Sequence, residues 1–207
     1  MKTIDELKRA FEVYLVEMQR CEEAKTYWAL LHMLLALPDI CAALEEPGAG
    51  QAERYVRWCK AHFDDNPILT PGDRYQIRNA VLHEGSTLPT NRSTVAAKRT
   101  QYSSFSFVEP GATRGSIHQN VSPGGENLTL DVRQLAIETR NAMERWFASL
   151  QHDPGRNARV EENLPRLARF QTKVSQVPIE TAEGSKIETA DGSLISIETR
   201  HKATSST

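Results

Sequence analysis

The segment Arg-Asn-Ala-Val-Leu-His at residues 78–83 decides the fold predicted for this chain, because it places a permanent cation five residues before an imidazole. The flanking residues predict that it lies on a short helix. Thr70 suits the N-cap, Pro71 the first helical position and Asp73 the positive end of the helix dipole. Gly85 is suited to end the helix, which puts the histidine in its last turn.

The two faces of this helix differ in a way that predicts a covered surface. Ile77, Ala80 and Val81 cluster in one arc and are predicted to face the core. The opposite arc holds, in order around the cylinder, Arg78, Leu82, Tyr75, Asn79 and His83. From the helical repeat, Arg78 and His83 mark the two rims of this arc, about 140° apart. A solvent-facing arc seldom centres on tyrosine and leucine, so we expect a cover. A second copy of the helix across a two-fold axis is the most economical one.

The spacing of residues 78–83 resembles the Arg-x4-6-His motif of the HEPN superfamily (higher eukaryotes and prokaryotes nucleotide-binding), including the polar Asn79 after the arginine. The resemblance extends over about residues 3–150, where several amphipathic helices surround the motif. It implies an all-α bundle that forms a homodimer through the motif helices and has RNA as its substrate. It also implies ribonuclease activity without a metal or other cofactor, often in toxins or defence effectors that an antitoxin or a regulatory protein controls. Many members of the superfamily are inactive scaffolds.

The residue types in the motif suit metal-independent RNA cleavage, in which the 2′-hydroxyl attacks the adjacent phosphorus. Histidine transfers protons near neutral pH, so His83 is the candidate general acid or base. Arg78 is the candidate for stabilising the phosphorane, because its planar guanidinium pairs with phosphate oxygens. Asn79 lies one turn before His83 and is expected to bond to the imidazole and fix its orientation. One chain supplies a single copy of each group, so separate acid and base roles need two chains.

Two further residues are candidates for contacting the substrate. Tyr75 lies near the middle of the outer arc. Asp39 follows Pro38, and it either faces the motif helix and pairs with Arg78 or caps a helix that restarts after the proline. His32, in an apolar helix, is instead predicted to be a hydrogen-bonded core residue.

Hydrophobic periodicity predicts a mainly α fold: a HEPN-like helical bundle with a small β or irregular insertion and a flexible C-terminal tail. Residues 1–152 form the predicted helical domain, and its second helix, apolar all round, is predicted to be the most buried element. Within it, residues 86–130 are predicted to form two or three short strands or an irregular flap. Residues 153–207 are predicted to be a largely disordered extension, with a hairpin between Ile187 and Ile197 as the alternative.

Composition places the chain among soluble cytoplasmic proteins. It has 207 residues, of which 39% are hydrophobic and 25% charged, and its longest apolar stretch is interrupted by His32. We therefore expect no membrane partner. Cys21, Cys41 and Cys59 are odd in number and scattered, which predicts reduced thiols rather than disulfides or a zinc site.

Two other interpretations stay open. The net charge of −2 slightly favours a non-catalytic HEPN adaptor that dimerises and binds a nucleotide, an RNA or a partner protein, since non-specific nucleic-acid binders are usually basic. A plain helical interaction module, in which the motif spacing is accidental, predicts instead a monomer with Arg78 and His83 apart in solvent.

Overall fold

A computed structural model describes residues 4–89, 100–110, 119–120, 127–167, 186–188 and 194–196. These residues form a mainly helical protein with a small sheet. The helices are α1 (Ile4–Glu23), α2 (Tyr27–Glu45), α3 (Gln51–His62), α4 (Pro71–Glu84), α5 (Val132–Gln151) and α6 (Pro154–Asn163). Helical periodicity and capping residues predict helices that begin near Thr3, Ala24, Gln51, Thr70 and Asp131, and the first five helices begin close to these positions.

Helix α4 has the predicted termini. The Thr70 hydroxyl accepts a hydrogen bond from the Asp73 backbone N–H, and the Thr70 backbone N–H donates to the Asp73 carboxylate at 2.8 Å. This reciprocal pair is a capping box, and Pro71 takes the first helical position. Gly85 ends the helix with φ of 57°, in the left-handed region that glycine adopts without strain. Local chemistry therefore fixes where the motif helix begins and ends.

Helix α2 runs without interruption through Pro38 and contributes nine buried residues. The prediction that it is apolar and buried all round was wrong at its first turns. Trp28 is 62% exposed, and His32 is also exposed, with Nδ1 2.7 Å from the Trp28 carbonyl oxygen. Among the described helices, α2 alone is long and apolar enough to cross a membrane, by length and composition only. Core helices of soluble proteins have the same character.

Helices α1 and α5 meet in an aromatic cluster. The ring of Phe11 lies 5.3 Å from that of Trp146 and 5.8 Å from that of Phe147, both edge-on. All three side chains are almost completely buried. Edge-to-face aromatic pairs add to the free energy of apolar burial, so this cluster fixes α5 against the bundle.

The insertion contains a three-stranded sheet in the order β1-β3-β2. Strands β1 (Ser104–Val108) and β3 (Asn127–Asp131) are parallel, and β2 (Gln119–Asn120) is antiparallel to β3. The sequence predicts that Tyr102, Phe105 and Phe107 are buried rather than free to stack on bases. Tyr102 and Phe105 are each 2% exposed, and Phe107 is partly buried. The predicted turn at residues 123–125 lies outside the described residues.

The helical unit extends to Leu167, past the predicted boundary at residue 152. Asp153 caps α6, and Val160 and Leu164 join the hydrophobic core. A second unit comprises residues 168–207. Its described residues are β4 (Lys186–Glu188) and β5 (Leu194–Ser196), which pair antiparallel as a hairpin would. The rest of the predicted disordered extension lies outside the described residues.

Thiol reactivity is expected to distinguish the three cysteines. Cys41 and Cys59 are buried, and burial raises the pKa of Cys59 to about 12 and that of Cys41 well above its usual range. Because the thiolate is the nucleophile, we expect a disulfide reagent such as DTNB to modify only Cys21 in the native protein and all three after unfolding. A Cys21→Ser variant is the control and should show no fast phase. Rapid native modification of two or more thiols would contradict this assignment.

The buried His62 is expected to make stability depend on pH. Desolvation, followed by the charges of Arg156 and Arg145, lowers the pKa of His62 from 6.5 to about 4. Between pH 6.5 and about pH 4, the unfolded chain therefore binds a proton at His62, whereas the folded chain does not. Stability is full above pH 6.5 and decreases as the pH falls toward 4, by at most about 3 kcal/mol. Urea unfolding of a His62→Gln variant should lose this slope, while the exposed-residue control His152→Gln should keep it.

Candidate functional site

Arg78 is the buried centre of a polar cluster between α2 and α4. Its residue exposure is 6%, and Nη2 donates to Asp39 Oδ2 at 2.7 Å. Asp39 is itself only 14% exposed on its side chain. A buried guanidinium is stable only when a carboxylate compensates its charge, so this pair holds the arginine in one position. The predicted pairing of Asp39 with Arg78 is confirmed.

The guanidinium of Arg78 also contacts the imidazole of His83 within a single chain, through Nη1 and Nε2. Helical geometry had separated the two Cα positions by about 140°, but the long arginine side chain spans that arc. Since a guanidinium can only donate, Nε2 of His83 is the acceptor in this arrangement. His83 is exposed to solvent, whereas Arg78 is not. The geometry contradicts the plain interaction module, which placed the two side chains apart.

Asn79 bonds to a different partner from the one predicted. Its Oδ1 accepts from Arg78 Nη1 at 3.0 Å. In the described part of the chain, the imidazole of His83 is therefore oriented by Arg78 rather than by Asn79. The amide and the imidazole share one guanidinium nitrogen because both lie within reach of the same side chain. Asn79 is thus placed to position the arginine.

Asp39 joins α2, α3 and α4 at one carboxylate. Besides Arg78, it accepts from Gln51 Nε2 at 2.8 Å and from Arg54 Nη2 at 3.4 Å. The alternative of an N-cap after a helix break was wrong, because α2 continues through Pro38. Three donors occupy the carboxylate, which supports a positioning role for Asp39, and its contact with substrate stays a prediction.

Gln51 and Arg54 were missed by sequence reasoning. They lie three residues apart on α3 and hence on the same face of that helix. That spacing was visible in the sequence, but the crossing of α3 over α2 at Asp39 was not. The Nε atoms of Arg54 and Arg78 are both buried without a hydrogen-bond partner among the described residues. The cluster therefore has more donors than acceptors.

The outer arc of α4 is only partly covered by the chain itself. Tyr75 packs on Tyr55 with ring centroids 5.8 Å apart, which places it at the edge of the core beside α3. Asn79 and Leu82 are also half-buried. The C-terminal end of the arc, at His83, is open to solvent. An anion or a second protein surface can therefore reach the imidazole while the arginine stays anchored from behind.

The arrangement is suited to phosphate chemistry. It brings together an anchored guanidinium, an accessible imidazole and an excess of hydrogen-bond donors, which are the groups that bind phosphate oxygens and transfer protons. No family model matches this chain, and no curated protein or solved structure matches it. The site must therefore be judged from its own geometry.

Proposed function

We propose that this protein is a HEPN-type endoribonuclease that cleaves RNA without a metal ion. The observation that carries the proposal is the contact between the buried, Asp39-anchored guanidinium of Arg78 and the exposed imidazole of His83. The motif resemblance supports the same chemistry, as does the all-helical setting of α4. The biological role in this proposal is that of a toxin or defence effector controlled by an antitoxin or a regulatory protein.

In the proposed reaction, a phosphate group of RNA displaces the two present acceptors of Arg78 Nη1. Phosphate oxygens replace Asn79 Oδ1 and His83 Nε2, while Asp39 keeps its bond to Nη2 and holds the arginine in place. The released His83 Nε2 then accepts the proton of the attacking 2′-hydroxyl. Arg78 stabilises the phosphorane through its paired N–H groups, which match phosphate oxygens. The leaving 5′-oxygen needs a proton from a second group.

A homodimer through the α4 helices supplies that second group. The half-buried Leu82 and the exposed His83 leave the end of the α4 arc available to another copy. In a symmetric pair, two copies of Arg78 and of His83 face one phosphate, so one imidazole acts as base and the other as acid. This arrangement is part of the proposal and rests on the partial cover of the arc.

The direct test is incubation of purified protein with single-stranded RNA in excess EDTA. We expect cleavage products that end in a 2′,3′-cyclic phosphate and a 5′-hydroxyl, because the 2′-hydroxyl is the nucleophile. RNA that stays intact over hours at micromolar protein would contradict the proposal. Sedimentation of the same sample tests the dimer separately.

A non-catalytic adaptor is the second candidate, and a specific observation favours it. Arg78 is 6% exposed and neutralised by Asp39, as expected for a side chain that serves structure alone. Growth of an expression host distinguishes the two candidates. An active ribonuclease slows growth and Arg78→Ala relieves the effect, whereas an adaptor and its Arg78→Ala variant have equal effects on growth.

A further inference from the structure

A second polar site lies next to the motif cluster, in a cavity of about 490 Å³ lined by residues of α2, α3 and α6. We call it the α3 cavity. Its wall includes four cationic residues, Arg54, Arg57, Lys60 and Arg156. Its volume lies within the range of sites that hold small molecules or a segment of a larger ligand.

The α3 cavity has a positive electrostatic character. The four cations of its lining outnumber its two carboxylates, Glu45 and Glu46, by two. Glu45 accepts hydrogen bonds from Arg156 at 2.6 Å and from the indole N–H of Trp146, and Glu46 forms an ion pair with Arg57 at the exposed wall of the cavity. The lowered pKa of His62, which also lines the cavity, has the positive charges of Arg156 and Arg145 among its causes. An anion is the ligand that such a potential favours.

Two residues that line the cavity each carry a buried donor without a partner among the described residues. The donors are the Nε1 of Trp58, a residue 3% exposed, and the Nε of Arg54. Both residues lie on α3, one turn apart and hence on one face. These two atoms are closed off from solvent, so they add to the number of donors on this face of α3 without themselves facing the cavity.

Arg54 connects the α3 cavity to the motif cluster. Its Nη2 donates to Asp39 Oδ1 at 3.4 Å, and the other carboxylate oxygen of Asp39 accepts from Arg78 at 2.7 Å. From this junction, Arg57 and Lys60 continue along α3 at intervals of one helical turn. The cations thus form a track that leads from the motif cluster along α3. A single strand carries phosphates at regular intervals and fits such a track.

We propose that the α3 cavity binds a phosphate of the RNA strand next to the one that Arg78 and His83 cleave, with Arg54, Arg57 and Lys60 as its cationic contacts. This inference rests on the proposed ribonuclease function for the identity of the strand. The phosphate chemistry itself is shared with free polyphosphates, which are the competing source of the ligand.

Binding is measured without turnover in a His83→Ala background, by fluorescence anisotropy of a labelled single-stranded RNA oligonucleotide. Charge reversal on the exposed wall, Arg57→Glu with Lys60→Glu, should weaken binding at least tenfold and reduce the dependence of log K on log salt concentration. The matched control, Arg20→Glu with Lys25→Glu, changes exposed cations near the opposite end of α2 by the same charge and should weaken binding less than twofold.

A second readout reports on the cavity itself. Binding of an anion there favours the imidazolium of His62, so NMR titration should show its pKa rising when RNA is added. The inference would be overturned if the wall variant and its control lost the same affinity for RNA. It would also be overturned if the pKa of His62 did not change when RNA was added. A response of His62 to sodium triphosphate but not to RNA would also overturn it, in favour of a free polyphosphate.

Failure of the proposed ribonuclease function would give a different set of results. If wild type leaves RNA intact but the wall variant still loses RNA binding and the His62 response, the α3 cavity stands as an RNA phosphate site and the ribonuclease proposal falls. If wild type cleaves RNA and the wall variant binds it unchanged, the ribonuclease stands and the α3 cavity proposal falls.

Discussion

Under the proposed ribonuclease function, replacing His83 with alanine is expected to lower the rate of RNA cleavage by about 10²- to 10⁴-fold, the range that one proton-transferring side chain contributes. The imidazole is exposed, so its removal should leave the fold intact. Arg78→Lys tests the partner group. It keeps the positive charge but loses the planar guanidinium, so we expect it also to lower the rate of RNA cleavage. Initial rates on a fluorogenic RNA substrate, with EDTA present, give both values.

The control for this comparison is His152→Ala. His152 is exposed and also lies at a helix C-terminus, at the end of α5. It should keep the wild-type rate, which separates the effect of His83 from that of removing any helix-terminal histidine. Cleavage by the His83→Ala variant at the wild-type rate would show that the activity belongs to another site or to a contaminating ribonuclease.

Replacing Asp39 with leucine is expected to destabilise the protein by about 3 kcal/mol or more. The substitution leaves Arg78, which is 6% exposed, without the carboxylate that compensates its charge. It also removes an acceptor of Arg54. Urea unfolding at pH 7 measures the change in free energy. The double variant Asp39→Leu with Arg78→Met removes the uncompensated charge as well as the carboxylate. It should recover at least half of the lost free energy of unfolding.

A salt bridge on the surface is the control for this second experiment. Asp64 accepts two hydrogen bonds from Arg145, at 2.8 and 3.0 Å, but its side chain is 76% exposed. Asp64→Ala should cost less than about 1 kcal/mol, because water screens an exposed pair. A loss of similar size at both aspartates, or a double variant no more stable than Asp39→Leu alone, would contradict the role given to the buried pair.

Most features predicted correctly from sequence have local causes, and the pairing of Asp39 with Arg78 between α2 and α4 is the exception. The termini of α4 follow from Thr70, Pro71, Asp73 and Gly85, which act through neighbours within a few residues. The buried faces of Ile77 and its neighbours follow from helical spacing. These patterns act within one turn of helix, so the rest of the chain is not needed to interpret them.

The features missed depend on how distant segments cross. The Asp39 junction requires α3 to pass over α2 so that Gln51 and Arg54 reach one carboxylate. The contact between Arg78 and His83 requires a long side chain to bend across the helix surface, which a calculation from Cα directions does not contain. The parallel pairing of β1 with β3 likewise depends on the path between them. Sequence spacing predicts the direction in which a side chain leaves its helix, but the packing of the helices determines which residue it contacts.

The union of α1 with α5 has a consequence for synthesis on the ribosome. Lys8 and Glu144 form an ion pair of 2.8 Å across a sequence separation of 136 residues, beside the aromatic cluster of Phe11 and Trp146. Contacts of such separation form late and slow the folding of a chain. A nascent chain that has emerged only through α4 already carries the arginine and the histidine but has no α5 to complete its core. Such a chain should require a chaperone. An mRNA truncated upstream of the codons for α5 should therefore yield a product that is degraded before it can act.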